Sequence, residues 1–224
     1  MKSTLTYILL AFSLVGCSTM KHIPEEEQLY TGIKEMEFVD ADKNAVSPTG
    51  QTAIEEVTYA LECAPNGSIF GSSSLRGLPL GLWWYNSFYN SKNKIGKWFF
   101  NTFATDPVLI STVRPELRAQ VATDILKYYG YFNGKVEAEV IPSKKNPRKA
   151  SVSYRITLNE PCLYDTIEYC NFTGNADSLI SATARAREIK PGEQFNAAAM
   201  ESERTRISNL LRNNGYYYFQ PGYI

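Results

Sequence analysis

The chain has 224 residues, 44% of them hydrophobic, enough to bury one or two ordinary cores, and this composition excludes disordered and fibrous proteins. It carries 23 basic and 23 acidic side chains. A net charge of zero gives no reason to expect nucleic acid or an anionic membrane surface as the main partner.

The first residues predict an export signal. Lys2 supplies a positive charge, and residues 5–15 form an apolar run of 11 residues. Because a membrane-spanning helix needs about 20 residues, residues 1–16 are interpreted as a cleaved signal peptide and not as an anchor.

The signal ends in Leu14-Val-Gly-Cys17, which resembles the bacterial lipobox, where the cysteine is acylated and becomes the first residue after cleavage. Cys17 is therefore the predicted lipidation site, and residues 17–28 are the predicted tether. The alternative is an ordinary signal peptide with a chance cysteine. One acyl chain gives only marginal membrane binding, whereas two or three make the attachment effectively permanent.

The residue after the cysteine bears on location. By resemblance to Gram-negative lipoproteins, Ser18 implies transfer to the outer membrane. Residues 25–27 are acidic but lie too far from the cysteine to resemble a surface-export signal. The protein is therefore expected to be anchored by lipid to the outer membrane, with its domains facing the periplasm.

Three further cysteines, Cys63, Cys162 and Cys170, leave at least one thiol unpaired in an oxidising compartment. Cys162 and Cys170 are predicted to lie near opposite ends of one extended segment, so no disulfide is expected between them. All three are interpreted as small buried hydrophobic residues.

Hydrophobic periodicity predicts a strand and two helices in the first part of the chain. Residues 32–39 alternate as in a strand, and residues 52–61 place apolar side chains at helical spacing. A stronger helix begins near Pro115 and ends at Gly130, where a left-handed cap is expected. Its predicted apolar face consists of Leu117, Val121, Ile125 and Tyr128.

A hairpin follows these helices. Residues 135–141 and 151–158 both alternate between apolar and polar side chains, and the loop between them is rich in proline and lysine. The predicted order is therefore strand, helix, helix, hairpin, with three strands covered on one face by two helices.

An aromatic-rich insertion at about residues 64–113 separates the two helices. It contains all three tryptophans of the chain, Trp83, Trp84 and Trp98. We expect these rings to pack on the first domain as a satellite core. The alternatives are docking at the membrane interface near the anchor, or on a partner subunit.

Two internal similarities, in the same order, predict a second copy of this unit. Residues 30–38 can be laid on 164–172, and residues 126–132 on 211–217. The copy is expected to contain a strand at 166–172, a short helix at 176–186 and a helix from the N-cap Asn196 to Gly215. The sequence stops inside the next predicted strand, so this second domain is expected to be incomplete.

Four short motifs carry a family resemblance: Leu126-Lys-Tyr-Tyr-Gly-Tyr-Phe132, Val152-Ser-Tyr-Arg-Ile-Thr-Leu158, Ile189-Lys-Pro-Gly-Glu-Gln-Phe195 and Leu210-Leu-Arg-Asn-Asn-Gly-Tyr216. Their order resembles POTRA domains of the BamA/TamA outer-membrane assembly superfamily. With the lipobox, residues 17–224 resemble the lipidated TamA-like proteins of Bacteroidetes. The resemblance implies an α+β fold of tandem POTRA-like βααββ domains, the first at 29–160 and the second, truncated, at 161–224.

The resemblance also implies a function. Such domains capture unfolded outer-membrane proteins, or bind an assembly subunit, by adding a strand to an exposed sheet edge. The candidate edge consists of Lys135, Val136, Glu137, Ala138, Glu139 and Val140. Its charges fit equally well an edge that blocks unwanted pairing. The alternative function is an envelope scaffold or polysaccharide-binding lipoprotein that uses the aromatic segment as a sugar platform.

Enzymatic readings have little support. The single histidine, His22, lies in the predicted tether, which disfavours a histidine-based catalytic or metal site. Residues 67–71 lack the Gly-Lys-Ser/Thr of a phosphate-binding loop. We therefore expect a binding protein without a catalytic site, metal or cofactor.

Overall fold

A computed structural model describes residues 20–68, 77–172 and 174–224. The predicted signal peptide and the predicted lipidation site, Cys17, lie outside these residues. The fold is α+β, as expected, with several helices and a small three-stranded sheet. None of the described helices is both long enough and apolar enough to span a membrane.

The regular elements are given in chain order. They are β1 (Leu29–Val39), α1 (Ala41–Asn44), α2 (Pro48–Leu61), α3 (Leu80–Phe88), α4 (Lys94–Phe103), α5 (Ile110–Val113), α6 (Pro115–Tyr128), β2 (Lys135–Pro142), β3 (Lys149–Thr157), α7 (Asn175–Ala182) and α8 (Ala197–Asn213). Short 3-10 turns span Ala184–Ala186 and Pro221–Tyr223.

The sheet has the strand order β1-β3-β2, with β3 in the centre. Leu29 N–H donates to the Arg148 carbonyl at one end, and Leu158 N–H donates to the Val39 carbonyl at the other, so β1 and β3 run parallel. At the turn, Ser143 N–H donates to the Lys149 carbonyl at 2.7 Å. The predicted hairpin of β2 and β3 is therefore confirmed.

The alternation predicted for β3 is also confirmed. Val152, Tyr154, Ile156 and Leu158 are at most 1% exposed. The neighbouring Arg155 is exposed and pairs with Glu37 of β1 at 3.0 Å. One face of the central strand is thus buried, and the other carries charges.

The helix expected near Pro115 forms as α6, and Gly130 has the expected left-handed conformation, with φ of 87°. The predicted apolar face of α6 is wrong. Three of its four members, Leu117, Val121 and Tyr128, are 49%, 47% and 45% exposed, and the fourth, Ile125, is half-buried. The buried residues of α6 are Pro115, Ala119, Ala122 and Leu126, and Tyr129, just after the helix, is buried as well.

Two contacts explain this rotation of α6. Arg118 Nη1 donates to the Ala60 carbonyl near the end of α2, and the Tyr129 hydroxyl donates to Glu56 Oε1 at 2.7 Å. Both bonds turn the alanine-rich side of α6 inward. Small side chains let the backbone approach closely, so the larger residues of the neighbouring stripe are left outside.

The chain forms two compact units. The first comprises the residues up to Met36, Glu62–Leu117 and Ala138–Tyr154, and the second comprises Glu37–Leu61, Arg118–Glu137 and Arg155–Ile224. The domain boundary expected between residues 160 and 161 stays a prediction.

The strand predicted at residues 166–172 is wrong, since this segment has no regular structure. Within this segment Tyr169 and Phe172 pack on a cluster formed by Ala176, Ile180, Ile207 and Leu211. The strand expected after Gly215 does not form either.

The helices predicted in this part of the chain are confirmed as α7 and α8. Asn196 caps α8, because its side chain accepts a hydrogen bond from Ala198 N–H at 2.9 Å. The cap satisfies one of the backbone donors that a helix start leaves open.

The interpretation of the cysteines as buried residues is wrong for two of them. Cys162 and Cys170 are exposed and Cys63 is half-buried, while all three thiols are free. The absence of a disulfide between Cys162 and Cys170 agrees with the expectation.

Leu126→Ala tests the corrected face of α6. Leu126 is fully buried, so the substitution should lower the free energy of unfolding by about 2–5 kcal/mol in urea titrations. Leu117→Ala on the same helix is the matched control, and should cost less than about 1 kcal/mol because Leu117 is half exposed. Equal losses would contradict the observed orientation of α6.

Candidate functional site

The predicted binding edge, Lys135 to Val140, lies on β2, an outer strand of the sheet. Val136 N–H donates to Thr123 Oγ1 of α6 at 3.0 Å and therefore does not point toward β3. Backbone amides along a strand alternate in direction, so the amides of Ala138 and Val140 point to the same side as that of Val136.

The open part of the edge is therefore short. Its first amide is capped by Thr123, and Pro142 at the end of β2 has no N–H group. Ala138 and Val140 remain as the residues that present both an N–H and a C=O away from β3. In the described part of the chain, β3 is the only strand beside β2.

Charged side chains accompany this edge. Lys135, Glu137 and Glu139 are exposed, while Val136 is buried. Lys135 Nζ lies 2.5 Å from Glu137 Oε1, and this hydrogen bond holds the pKa of Glu137 below its usual value. An exposed ion pair of this kind contributes little to the stability of the fold. These charges instead affect which chains can approach the edge.

The beginning of β1, the other outer strand, is covered in contrast. Tyr30 N–H donates to the Val108 carbonyl at 2.9 Å, and Leu29 forms an antiparallel bridge with Leu109. The Asn66 amide donates to the carbonyls of Tyr30 and Val108 and accepts from Val108 N–H. This part of β1 is therefore not available to another chain.

A polar centre in the second unit was not predicted. Gln194 is 7% exposed, accepts a hydrogen bond from the Ser47 hydroxyl and donates to the Tyr129 carbonyl at 2.7 Å. It lies on a surface groove of about 510 Å³ that Lys43 and Tyr164 also line. The Tyr164 hydroxyl donates to the Asn196 carbonyl and accepts from Asn196 N–H.

A buried ion pair in α8 was also not predicted. Glu203 is 3% exposed, and its carboxylate accepts hydrogen bonds from Arg206, Tyr169 and Glu188 N–H. Burial alone would raise the pKa of Glu203, but these donors outweigh it and lower the pKa to about 2. Every contact of this carboxylate is internal, so its role is structural.

The only local signal for this pair was the spacing of Glu203 and Arg206, three residues apart on a helix. Glu201 and Arg204 have the same spacing but form a solvent-exposed pair. Sequence spacing therefore could not distinguish the buried pair from the exposed one.

No cluster of three or more histidine, cysteine or acidic side chains suited to a metal ion occurs among residues 20–68, 77–172 and 174–224. Comparison with models of known families, with curated proteins and with solved structures finds no match to this chain.

Glu203→Gln tests the ion pair. In the folded protein the pKa of Glu203 is about 2, below the ordinary 4.5. The charged carboxylate therefore stabilises the fold fully above pH 4.5, and this stabilisation is lost as the pH falls toward 2. The wild type should lose about 3 kcal/mol of unfolding free energy over this range. The variant should be less stable at pH 7 and lose less on acidification.

Glu201→Gln is the matched control, since its pair with Arg204 has the same spacing but a carboxylate side chain that is 59% exposed. It should change the unfolding free energy by less than about 1 kcal/mol at either pH. An acid profile of Glu203→Gln identical to that of the wild type would contradict the assignment.

Proposed function

We propose that this chain is the POTRA-like, periplasm-facing binding region of an outer-membrane lipoprotein, and that it takes part in the assembly or translocation of outer-membrane proteins. The observation that carries the proposal is the open edge of β2 at Ala138 and Val140. The order β1, helices, β2 and β3 in the first part of the chain supports it, as does the lipobox that ends at Cys17.

The proposed mechanism is strand addition. An extended segment of an unfolded outer-membrane protein, or of an assembly subunit, pairs with the backbone groups of Ala138 and Val140. Backbone bonding has little sequence preference, which suits a site that receives many different clients.

The short edge also sets the strength of binding. Each hydrogen bond contributes a net of about 0.5–1.5 kcal/mol, so a few of them give weak, rapidly reversible capture. The charges of Lys135, Glu137 and Glu139 oppose permanent pairing with a second copy of the chain. A client can therefore be held and then released.

The alternative, polysaccharide binding by the aromatic insertion, has less support. The Trp84 ring lies parallel to the Phe99 ring, with centroids 5.1 Å apart and planes 5° apart. This face of Trp84 is therefore covered, which leaves Trp98, 56% exposed, as the more open ring for a sugar.

Ala138→Pro tests strand addition. The substitution removes an N–H that faces away from β3, so it should keep the fold and abolish pairing with an added strand. We expect a photo-crosslinker at Glu137 to capture an unfolded porin in the wild type and to lose most of that signal in the variant. Unchanged crosslinking by a folded variant would remove the edge as the site.

Glu139→Pro is the matched control on the neighbouring residue. Its N–H points toward β3, so proline should break a sheet hydrogen bond and lower the unfolding free energy by about 1–3 kcal/mol. If Ala138→Pro were equally destabilised, the inferred direction of the β2 amides would be wrong.

Cys17→Ala tests the anchor. Cells grown with radiolabelled palmitate should label the wild-type protein and not the variant, because the thiol is the proposed site of acylation. Cys63→Ala is the control and should be labelled as the wild type is. Equal labelling of wild type and Cys17→Ala would rule out the lipoprotein assignment.

A further inference from the structure

Helices α3 and α4 form a closely packed pair in the first unit. A Cβ atom at Gly96 of α4 would overlap the Ser91 side chain and come within 3.3 Å of the Phe88 ring. Glycine at this position therefore allows α4 to pack closely on the end of α3 and the turn that follows it. Across the pair, Trp84 stacks on Phe99, and its ring centroid lies 5.5 Å from that of Phe103. We call these two helices the aromatic hairpin.

The aromatic hairpin leaves large apolar side chains exposed. On α4, Ile95, Trp98 and Phe103 are 72%, 56% and 45% exposed. Their spacing places them, with Phe99, along one side of the helix. Leu80 at the start of α3 adds a further side chain that is 55% exposed. A grouped apolar surface of this kind marks an interaction site.

The aromatic hairpin itself carries charge of one sign. Residues 64–105 contain no aspartate or glutamate, although the whole chain has 23 acidic residues. The same stretch contains Lys92, Lys94 and Lys97, and all three are exposed. Exposed apolar side chains beside lysines on one helix are the pattern of a helix that lies in an anionic lipid surface.

The start of the described chain is held against the aromatic hairpin. Met20 and Ile23 pack in a cluster with Leu82 of α3. His22 N–H donates to Asn86 Oδ1 at 3.0 Å, and the His22 ring stacks on Tyr89 with centroids 5.0 Å apart. Residues 20–23 of the predicted tether are therefore attached to α3.

This attachment limits where an anchor at Cys17 can lie. Cys17 lies three positions before Met20, and an extended chain spans at most about 3.6 Å per residue, so their Cα atoms are at most about 11 Å apart. Acyl chains on Cys17 would therefore enter the lipid leaflet beside the aromatic hairpin.

We propose that the aromatic hairpin is a membrane-docking element, which inserts Ile95, Trp98 and Phe103 into the headgroup region of the leaflet that holds the acylated Cys17. The lysines of α4 contact anionic headgroups. The hairpin thereby gives the first unit a fixed orientation on that leaflet. This inference rests on the lipidation included in the proposed function.

The tryptophans make a direct test possible, since Trp83, Trp84 and Trp98 all lie in the aromatic hairpin and are the only tryptophans of the chain. The lipidated protein is reconstituted in phosphatidylethanolamine and phosphatidylglycerol vesicles with or without bromine on the acyl chains near the headgroup. Docking predicts quenching of tryptophan emission by the brominated lipid, and a weaker effect when the anionic lipid is omitted.

The variant Ile95→Asp with Phe103→Ser removes the apolar surface and keeps all three tryptophans. It should stay with the vesicles through its acyl chains but lose the quenching. Tyr59→Asp is the control, because Tyr59 of α2 is 82% exposed and lies in the second unit. Its quenching should equal that of the wild type.

The outcomes separate this inference from the lipoprotein assignment. Mass spectrometry that finds acylated Cys17, together with tryptophans that brominated lipid does not quench, overturns docking alone. Acrylamide dissolved in the water quenches the emission of exposed tryptophans. If it quenches the tryptophans in vesicles but not in native envelopes, the surface binds a protein partner, and docking on lipid is again overturned. A chain without acyl groups overturns both proposals.

Discussion

The pairing of β3 on both sides is the constraint on which the rest of the structure depends. A central strand satisfies its backbone groups through β1 and β2 and buries one face almost completely, from Val152 to Leu158. On α2 and α6, Val57, Leu61, Ala122 and Leu126 are likewise fully buried. The two outer strands are then left with one unpaired side each.

The two outer strands are treated differently, and this asymmetry gives the sheet its proposed function. The start of β1 is covered by backbone and side-chain bonds from Asn66 and Val108. On β2 only Val136 is capped, by Thr123. Unpaired edges invite association with other chains, so an edge that is covered on one strand and open on the other restricts binding to one place.

Helices α4 and α6 both carry exposed apolar side chains. On α6 the exposed stripe lies beside a side that contacts α2 through Arg118 and Tyr129, whereas on α4 the exposed stripe lies next to Lys94 and Lys97. The difference decides how each is interpreted. Nothing in the surroundings of the α6 stripe indicates a partner, while charge and chain connectivity both indicate a lipid surface for α4.

Local sequence determined the elements whose signals act within a few residues: the alternation of β2 and β3, the start of α6 at Pro115, the left-handed Gly130 and the Asn196 cap. These depend on backbone preferences and short-range hydrogen bonds. Tertiary structure alone decided which stripe of α6 is buried, that residues 166–172 remain unpaired, and that Gln194 and Glu203 are buried. The physical reason is that burial and strand pairing each require contact between two segments that are distant in the sequence. A local pattern describes only one of the two segments.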